Sequence, residues 1–288
     1  MKTRPLGSSG LIVGAVGIGC MYLSIRDRPS DEAGVRTLRA AFDAGVTFLD
    51  TADVYCLDHR DIGHSERLVA RALREAGAAQ RTSVVVATKG GLERPNGAWT
   101  RNASPAHLRR ACEASLAALA VDRITVYQLH APDPAVPIEE SVGELARLRS
   151  EGKVAHVGLS NVSAHEIEAS RAIVPIVSVQ NRWSPGHRAP ESDGVLATCE
   201  RHGIAFLPYS PFGGASGAKA LARGRLAGEA KRLGMSPHGL VLAWMLAKSR
   251  SVIAIPGVRR IESAVDSAKA AEVQLSGADL AAVEAAIA

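Results

Sequence analysis

Short apolar runs alternate with longer amphipathic segments along most of the chain. The apolar runs are rich in β-branched residues and predict strands, whereas the Ala/Leu/Arg/Glu segments between them have the period of a helix. The eight predicted strands cover residues 13–19, 48–51, 84–88, 124–129, 155–159, 176–180, 205–208 and 252–255. The helices are predicted to begin near Asp31, Ser65, Pro105, Ile138, Ala164, Asp193, Ser236 and Ile261.

Three of these helices begin with recognisable capping residues. Ser30, Ser104 and Ser236 each stand directly before an acid or a first-turn proline. A serine hydroxyl in that position accepts a hydrogen bond from the first turn of the helix. We therefore predict that these serines are N-caps.

Eight strand–helix units in 288 residues are typical of a (β/α)8 TIM barrel, an α/β fold that usually takes about 250 residues. No linker or change of composition divides the chain, so we expect a single domain over residues 1–288. Residues 3–13, with a turn at 7–10, predict an N-terminal β-hairpin. Residues 275–288 predict a short added C-terminal helix.

Composition excludes several classes of protein. The chain is 47% hydrophobic and 22% charged, which is typical of a globular domain and not of a fibrous or disordered one. Its net charge of +5 comes from scattered basic residues, and aromatics are only 4%, so nucleic-acid binding is not favoured. The four cysteines are far apart, which indicates neither a disulfide framework nor a zinc site. Without a signal peptide or an apolar run of about 20 residues, a cytoplasmic protein without a membrane partner is expected.

Polar residues follow three of the predicted strands. Asp50 and Tyr55 come after the second strand, Lys89 after the third and His130 after the fourth. Catalytic residues of a (β/α)8 barrel lie at the carboxyl ends of its strands. From these positions alone, a catalytic cluster and a structural ion pair with a satisfied histidine are both possible.

Carbonyl reduction would give each of these residues a role. Tyr55 could supply the proton that the developing alkoxide needs, and Lys89 could lower the pKa of the phenol. Asp50 would be the counter-ion that keeps Lys89 charged. His130 would orient the carbonyl oxygen by donating a hydrogen bond.

The motifs around these residues resemble those of the aldo-keto reductase superfamily. Residues 48–55 with 65–68, 87–89 and 128–130 are similar to its aspartate/tyrosine, lysine and histidine motifs, and residues 158–161 and 209–211 match two further signatures. The resemblance implies a catalytic tetrad of Asp50, Tyr55, Lys89 and His130. It also implies that Ser160, Asn161 and Gln180 hold the nicotinamide carboxamide, and that Tyr209 stacks on the nicotinamide ring. Further cofactor contacts are expected at Gly19, Cys20, Met21, Asp50, Ser210, Pro211, Gly257, Arg259, Arg260, Ser263, Asp266 and Ser267.

The chain departs from the family pattern in three places. Cys56 begins an insertion, residues 56–64, that should line the substrate mouth; its histidines and aspartates have no metal-ligand spacing, and no metal is expected. Ser263, Asp266 and Ser267 stand where the family often carries an arginine and a Glu-Asn pair for the adenosine end of the cofactor. The chain also ends soon after its last helix, which predicts an open pocket.

The resemblance implies an NAD(P)H-dependent enzyme that reduces a small-molecule aldehyde or ketone. NADPH is expected rather than NADH, because Arg259 and Arg260 follow Gly257 where the family handles the adenosine 2′-phosphate. One alternative is a nucleotide-sensing binding module resembling potassium-channel β subunits, and another is a barrel enzyme that uses no nicotinamide. Neither the substrate nor the oligomeric state follows from the sequence.

Overall fold

The computed structural model describes residues 1–287, with only the backbone at residue 215. The strands are β1 (Thr3–Pro5), β2 (Ile12–Gly14), β3 (Ile18–Gly19), β4 (Phe48–Asp50), β5 (Val85–Gly90), β6 (Leu92–Glu93), β7 (Thr100–Arg101), β8 (Ile124–Leu129), β9 (Val154–Ser160), β10 (Ile176–Gln180) and β11 (Ala205–Phe206). The helices are α1 (Asp31–Asp43), α2 (His64–Ala76), α3 (Ala78–Ser83), α4 (Pro105–Leu119), α5 (Ile138–Ser150), α6 (Ala164–Arg171), α7 (Val195–Arg201), α8 (Gly214–Ala220), α9 (Arg225–Arg232), α10 (Pro237–Lys248), α11 (Ile261–Lys269) and α12 (Gly277–Ile287).

Seven parallel strands form one curled sheet in the order β11-β10-β9-β8-β5-β4-β3. The segment 252–257 closes it into a barrel, because Val252 bridges to Phe206 on one side while Ala254 and Gly257 bridge to Val16 and Gly19 on the other. This segment contains the predicted eighth strand, residues 252–255, although it pairs only through isolated bridges. The predicted (β/α)8 fold is therefore confirmed.

The N-terminal hairpin closes the amino end of the barrel. Leu6 and Val13 are fully buried in one cluster with the inward-facing strand residues Phe48, Val126 and Ile253. The hairpin contacts the amino ends of the strands, since a Cβ at Gly7, which has a φ of +57°, would lie 2.1 Å from the carbonyl oxygen of Val177 near the start of β10. The hairpin does not cover the opposite, carboxyl end of the barrel, where the polar residues lie.

The predicted strand 13–19 is divided between two sheets. Its first part, β2, pairs antiparallel with β1, and its last part, β3, pairs in parallel with β4 inside the barrel. At Gly17, between them, a Cβ would lie 2.7 Å from the carbonyl oxygen of Phe48, so the chain can pass this close to β4 only with glycine.

Local predictions at the helix ends are confirmed. Ser30, Ser104 and Ser236 accept hydrogen bonds from the backbone N–H of the third residue after each of them. The predicted C-terminal helix is α12, and Ala288, the last residue of the predicted range, lies outside the described residues. Within residues 1–287, no helix has the length and apolar character needed to cross a membrane.

Candidate active site

Lys89, Asp50 and Tyr55 form a buried hydrogen-bonded cluster at the carboxyl ends of two paired strands. Asp50 ends β4, and Lys89 lies near the end of the neighbouring β5. The Nζ atom of Lys89 donates to Oδ2 of Asp50 at 2.7 Å, to Oη of Tyr55 at 2.9 Å and to the carbonyl oxygen of Thr51 at 2.8 Å. These three acceptors use all three N–H groups of the ammonium ion. The side chain of Lys89 therefore has a single, fixed position between carboxylate and phenol.

Two glutamine amides hold the other carboxylate oxygen of Asp50. Nε2 of Gln128 lies 3.1 Å from Oδ1 of Asp50, and Nε2 of Gln180 lies 2.8 Å from it. The family resemblance predicts Gln180 in the site, whereas Gln128 was not predicted there. The signal for Gln128 is a buried amide within the apolar strand β8, since such a group needs a polar partner inside the barrel.

His130 lies beside Tyr55 directly after β8. The two ring centroids are 5.7 Å apart, and the rings are nearly perpendicular at 80°. Burial, together with the nearby charge of Lys89, holds the pKa of His130 well below its usual value. The imidazole is therefore neutral near pH 7 and carries one N–H donor.

The pKa of Tyr55 shifts in the direction opposite to the sequence-based expectation. Burial raises it to about 12, and the charge of Lys89 opposes this shift without cancelling it. The expectation is wrong because it weighed the cation and not the loss of water around a phenol that is only 6% exposed. Burial lowers the pKa of Lys89, but Asp50 and Tyr55 outweigh burial and raise it overall. Near neutral pH the phenol is thus protonated and the lysine is charged.

A cavity of about 1180 Å³ opens above this cluster. It is larger than the roughly 300–1,000 Å³ of most small-molecule sites. Of the residues predicted from the sequence it is lined by Gly19, Met21, Asp50, Tyr55, His130, Ser160, Asn161, Gln180, Tyr209, Ser210, Pro211, Gly257, Arg259, Arg260, Ser263, Asp266 and Ser267. Lys89 lies beneath it, fully buried. Cys20 is also fully buried and does not line the cavity; its backbone N–H donates to the carbonyl oxygen of Asp50.

Ser160, Asn161 and Tyr209 form a linked group along the wall of the cavity. Nδ2 of Asn161 donates to Oγ of Ser160 at 3.2 Å and to the carbonyl oxygen of His130 at 2.9 Å, and Oδ1 of Asn161 accepts from the Tyr209 hydroxyl at 2.8 Å. Asn161 has a φ of 60°, a left-handed conformation that asparagine adopts more readily than most residues. These contacts leave the Ser160 hydroxyl proton and Oε1 of Gln180 available in the cavity.

Basic residues line the other end of the cavity. The guanidinium of Arg259 lies 5.1 Å from the ring centroid of Tyr22, and its Nη2 donates to the carbonyl oxygen of Arg26 at 3.4 Å. A Cβ at Gly257 would lie 2.5 Å from that tyrosine ring, so the close approach of the two segments needs glycine. Asp266 accepts a hydrogen bond from the Ser236 hydroxyl at 2.6 Å. Tyr22, Lys219 and His238 also line the cavity; they were not predicted, because they lie outside the motifs.

The insertion 56–64 lies beside the main cavity and does not line it, contrary to expectation. Its residues Leu57 and Asp58 line a second cavity of about 480 Å³, and Trp99 and Asp27 line both cavities. The insertion residues pair with nearby side chains, as Asp58 does with Arg60 at 2.6 Å. Trp99 occupies the place beside Tyr55, because Arg94 lies over the Trp99 ring and donates to the carbonyl oxygens of Cys56 and Leu57.

Two aromatic residues that follow β10 and β11 differ in their placement. Phe212 lines the main cavity. Trp183 is fully buried, packs against Trp244 with ring centroids 5.1 Å apart, and donates from Nε1 to Glu191 at 3.0 Å. Trp183 is therefore a core residue.

The fold and the site together define a barrel enzyme in which a lysine, a carboxylate, a phenol and a neutral imidazole meet under one large cavity. The chain belongs to the Aldo/keto reductase family, whose sequence model matches residues 15–288. It is therefore an enzyme of the oxidoreductase class, and this family membership disfavours a barrel enzyme that uses no nicotinamide.

Relatives and solved structures agree with this assignment. The chain is 35% identical over 305 residues to probable aldo-keto reductase 1 of Glycine max, covering 96% of this chain and 86% of the relative. The thermostable aldo-keto reductase Tm1743, solved with the inhibitor epalrestat, is 28% identical with a TM-score of 0.82 over 99% of both chains. An aldo/keto reductase from Klebsiella pneumoniae, solved with NADP and acetate, is 27% identical with a TM-score of 0.83, covering 99% of this chain and 95% of that one.

Proposed function

We propose that this enzyme reduces the carbonyl group of a small aldehyde or ketone, with NADPH as the hydride donor and Oη of Tyr55 as the proton donor. The observation that carries the proposal is the 2.9 Å contact between Nζ of Lys89 and Oη of Tyr55 under a cavity of about 1180 Å³, which is large enough for a dinucleotide. When bound, the nicotinamide cofactor supplies a hydride to the carbonyl carbon.

Residues of the chain supply the proton and stabilise the charge that its transfer creates. Negative charge develops on the substrate oxygen during reduction, and a positioned acid stabilises it. The protonated phenol of Tyr55 gives its proton to that oxygen, while Lys89 stabilises the phenolate that remains. His130, being neutral, donates a hydrogen bond to the same oxygen and adds no charge.

The polar groups left available in the cavity suit a primary carboxamide. The Ser160 hydroxyl can donate to a carboxamide oxygen, and Oε1 of Gln180 can accept from its NH2 group. Asn161, held by Tyr209 and by the backbone of His130, keeps Ser160 in place. The hydrogen bond from the Tyr209 hydroxyl to Asn161 holds the Tyr209 ring against the wall of the cavity. The fixed ring is suited to stacking against a planar ligand.

The basic end of the cavity suits the phosphates of NADPH. Arg259 and Arg260 line it together with Lys219, and Ser263 lies in the first turn of α11. Guanidinium groups bind phosphate through paired N–H donors. The solved Klebsiella pneumoniae relative was crystallised with NADP, which supports this cofactor. The cytoplasmic location and the single domain over residues 1–288 remain predictions from the sequence.

Mixing the purified protein with NADPH and a panel of aldehydes and ketones tests the proposal. We expect loss of cofactor absorbance that requires both enzyme and carbonyl compound, and a slower reaction with NADH. If NADPH binds but no carbonyl compound in the panel oxidises it, the proposal is overturned in favour of the nucleotide-sensing module.

A further inference from the structure

Arg101 lines the cavity next to the residues proposed to react. It lies in β7 opposite Leu92 of β6, and both residues line the cavity together with Tyr55, His130 and Trp99, which we call the reaction end. Arg101 is exposed, and within residues 1–287 its guanidinium has neither an ion-pair partner nor a side-chain hydrogen bond. Its five N–H donors are therefore available to a ligand.

The hairpin that carries Arg101 is fixed in place by Arg94. The guanidinium of Arg94 lies 3.9 Å from the ring centroid of Trp99, and its Nη2 donates to the carbonyl oxygens of Cys56 and Leu57 at 3.2 and 3.1 Å. Arg94 thus joins the hairpin to the segment directly after Tyr55. The Trp99 ring lies 6.5 Å from the Tyr55 ring, edge-on. Arg101 is consequently held on a rigid support beside the reacting phenol.

The ionisable groups beside Tyr55 carry no uncompensated charge. Asp50 is paired with Lys89, and His130 is neutral for the reason given above. Arg101 is therefore the charged side chain of the reaction end that lacks a counter-ion.

The adjoining second cavity adds positive charge. Arg26 and Arg94 line it, and of its two carboxylates Asp58 is paired with Arg60. Asp27 is the other carboxylate of this cavity, so one negative charge faces the three positive charges of Arg26, Arg94 and Arg101. The region around Trp99 is thus net positive, which attracts an anion.

We propose that Arg101 binds an anionic group of the substrate, so that the enzyme prefers aldehydes or ketones that also carry a carboxylate or a phosphate. The Trp99 ring packs along the carbons between carbonyl and anion. This subsite rests on the proposed carbonyl reduction and adds a substrate class to it. A guanidinium fork suits both anions, because each offers two oxygens in one plane to its paired N–H groups.

Matched pairs of probes test the subsite. One arm compares para-carboxybenzaldehyde with its methyl ester, and the other compares glyceraldehyde phosphate with glyceraldehyde. The variants are Arg101→Gln and Arg101→Lys. Arg123→Gln is the control, because Arg123 is exposed, directly precedes β8 at the amino end of the barrel and lines neither cavity.

We expect Arg101→Gln to lower kcat/KM for the charged probes by about 10–100-fold, mainly through KM, which is the size of one lost charge-assisted contact. The ester and glyceraldehyde should change by less than about twofold, and Arg101→Lys should restore part of the loss because it keeps the charge without the fork. The arm that shows the larger loss identifies the preferred anion. Equal losses for charged and neutral probes, or an equal loss in Arg123→Gln, would overturn the subsite.

A binding measurement that needs no turnover distinguishes a failure of this subsite from a failure of the proposed reaction. Trp99 is 47% exposed, whereas Trp183 and Trp244 are fully buried, so quenching of tryptophan fluorescence by para-carboxybenzaldehyde reports on Trp99. Reduction of the ester without preference for the acid would refute the subsite and leave the reaction standing. Quenching that is lost in Arg101→Gln, with no probe reduced, would leave the subsite standing and refute the reaction.

Discussion

The ammonium group of Lys89 lies 2.9 Å from the hydroxyl oxygen of Tyr55 and 4.7 Å from the centroid of the same ring. One cation therefore contacts both the oxygen that would lose a proton and the ring that shares the resulting charge. Because Asp50 and the Thr51 carbonyl fix the ammonium group, this contact does not depend on a flexible side chain finding its place. Lys89 and Tyr55 are thus expected to act as a unit.

Replacing Tyr55 by phenylalanine should remove reduction and leave cofactor binding nearly intact. The ring stays and only the hydroxyl is lost, whereas a positioned proton donor contributes about 10²–10⁴-fold to rate. Turnover of an aldehyde and a fluorescence titration with NADPH measure the two effects. Reduction by the phenylalanine variant at near the wild-type rate would show that Tyr55 is not the acid. As a second variant, Lys89→Met should impair the same step, so its loss should not add fully to that of Tyr55→Phe.

The rate of reduction should change little with pH across the neutral range. Burial raises the pKa of Tyr55 to about 12, so the acid form persists as pH rises, and burial keeps His130 neutral as pH falls through its usual pKa. We expect kcat/KM for an uncharged aldehyde to be flat from about pH 6 to about pH 9. An inflection near the usual histidine pKa that disappears in His130→Gln would contradict a neutral His130.

Arg259 and Arg260 should set the preference for NADPH. Replacing both by alanine removes two guanidinium groups from the basic end of the cavity, and a lost contact to a charged group costs about 1.5–3 kcal/mol. We expect NADPH affinity to fall by at least about tenfold and NADH affinity to change little. Cofactor titrations of the wild type and the double variant decide the matter. Equal losses for both cofactors, or no loss, would rule out a role at the 2′-phosphate.

Glu66 should make the folded protein less stable as pH rises. It is 1% exposed, and burial raises its pKa, with the hydrogen bond from Thr88 at 2.6 Å opposing the shift. A carboxyl group whose pKa is higher in the folded state binds more protons there, so stability declines as pH rises from its unfolded value of about 4.3 through the folded value.

The Glu66→Gln variant tests this dependence, because glutamine keeps an acceptor for Thr88 and has no charge. Urea unfolding at several pH values should show a shallower decline for the variant than for the wild type. Some decline should remain, since burial also raises the pKa of Asp53 and the variant does not remove that burial. Identical pH profiles for the two proteins would contradict the prediction.

Arg4 should stabilise the closed barrel from the N-terminal hairpin. Its Nη1 donates to the carbonyl oxygens of Ser249 and Val252 at 2.5 and 2.6 Å, and its Nη2 donates to that of Leu246 at 2.6 Å. Arg4→Met should lower the free energy of unfolding by about 1.5–3 kcal/mol, because three carbonyl groups lose a charged donor. Arg250→Met is the matched control and should cost little. Equal urea midpoints for the wild type and Arg4→Met would refute this role.

Local sequence signals predicted most of the architecture. Seven of the eight predicted strand regions contain a strand of the barrel sheet, and the eighth occupies its place between β11 and β3. The caps at Ser30, Ser104 and Ser236 were predicted because a cap depends only on residues within one turn. The strand-end positions of Asp50, Lys89 and His130 were predicted because parallel strands of a barrel end at the same face.

Contacts between distant segments decided what the sequence could not show. The periodicity of residues 13–19 predicts one strand, but pairing with β1 and then with β4 divides it. Gln128 became part of the site only because β8 brings its amide to Asp50, 78 residues away in the chain. Trp99, rather than the insertion 56–64, lies beside the Tyr55 ring in the cavity, because Arg94 holds the β6–β7 hairpin there.

The sequence by itself determined the barrel, the order of its strands and the identity of the residues gathered at its mouth. Only the tertiary structure decided the charge state of those residues. Lys89 near Tyr55 suggested a lowered pKa for the phenol, whereas the folded barrel removes so much water from Tyr55 that its pKa is raised. Pattern and spacing are properties of neighbours along the chain, but desolvation depends on every segment that packs around a group.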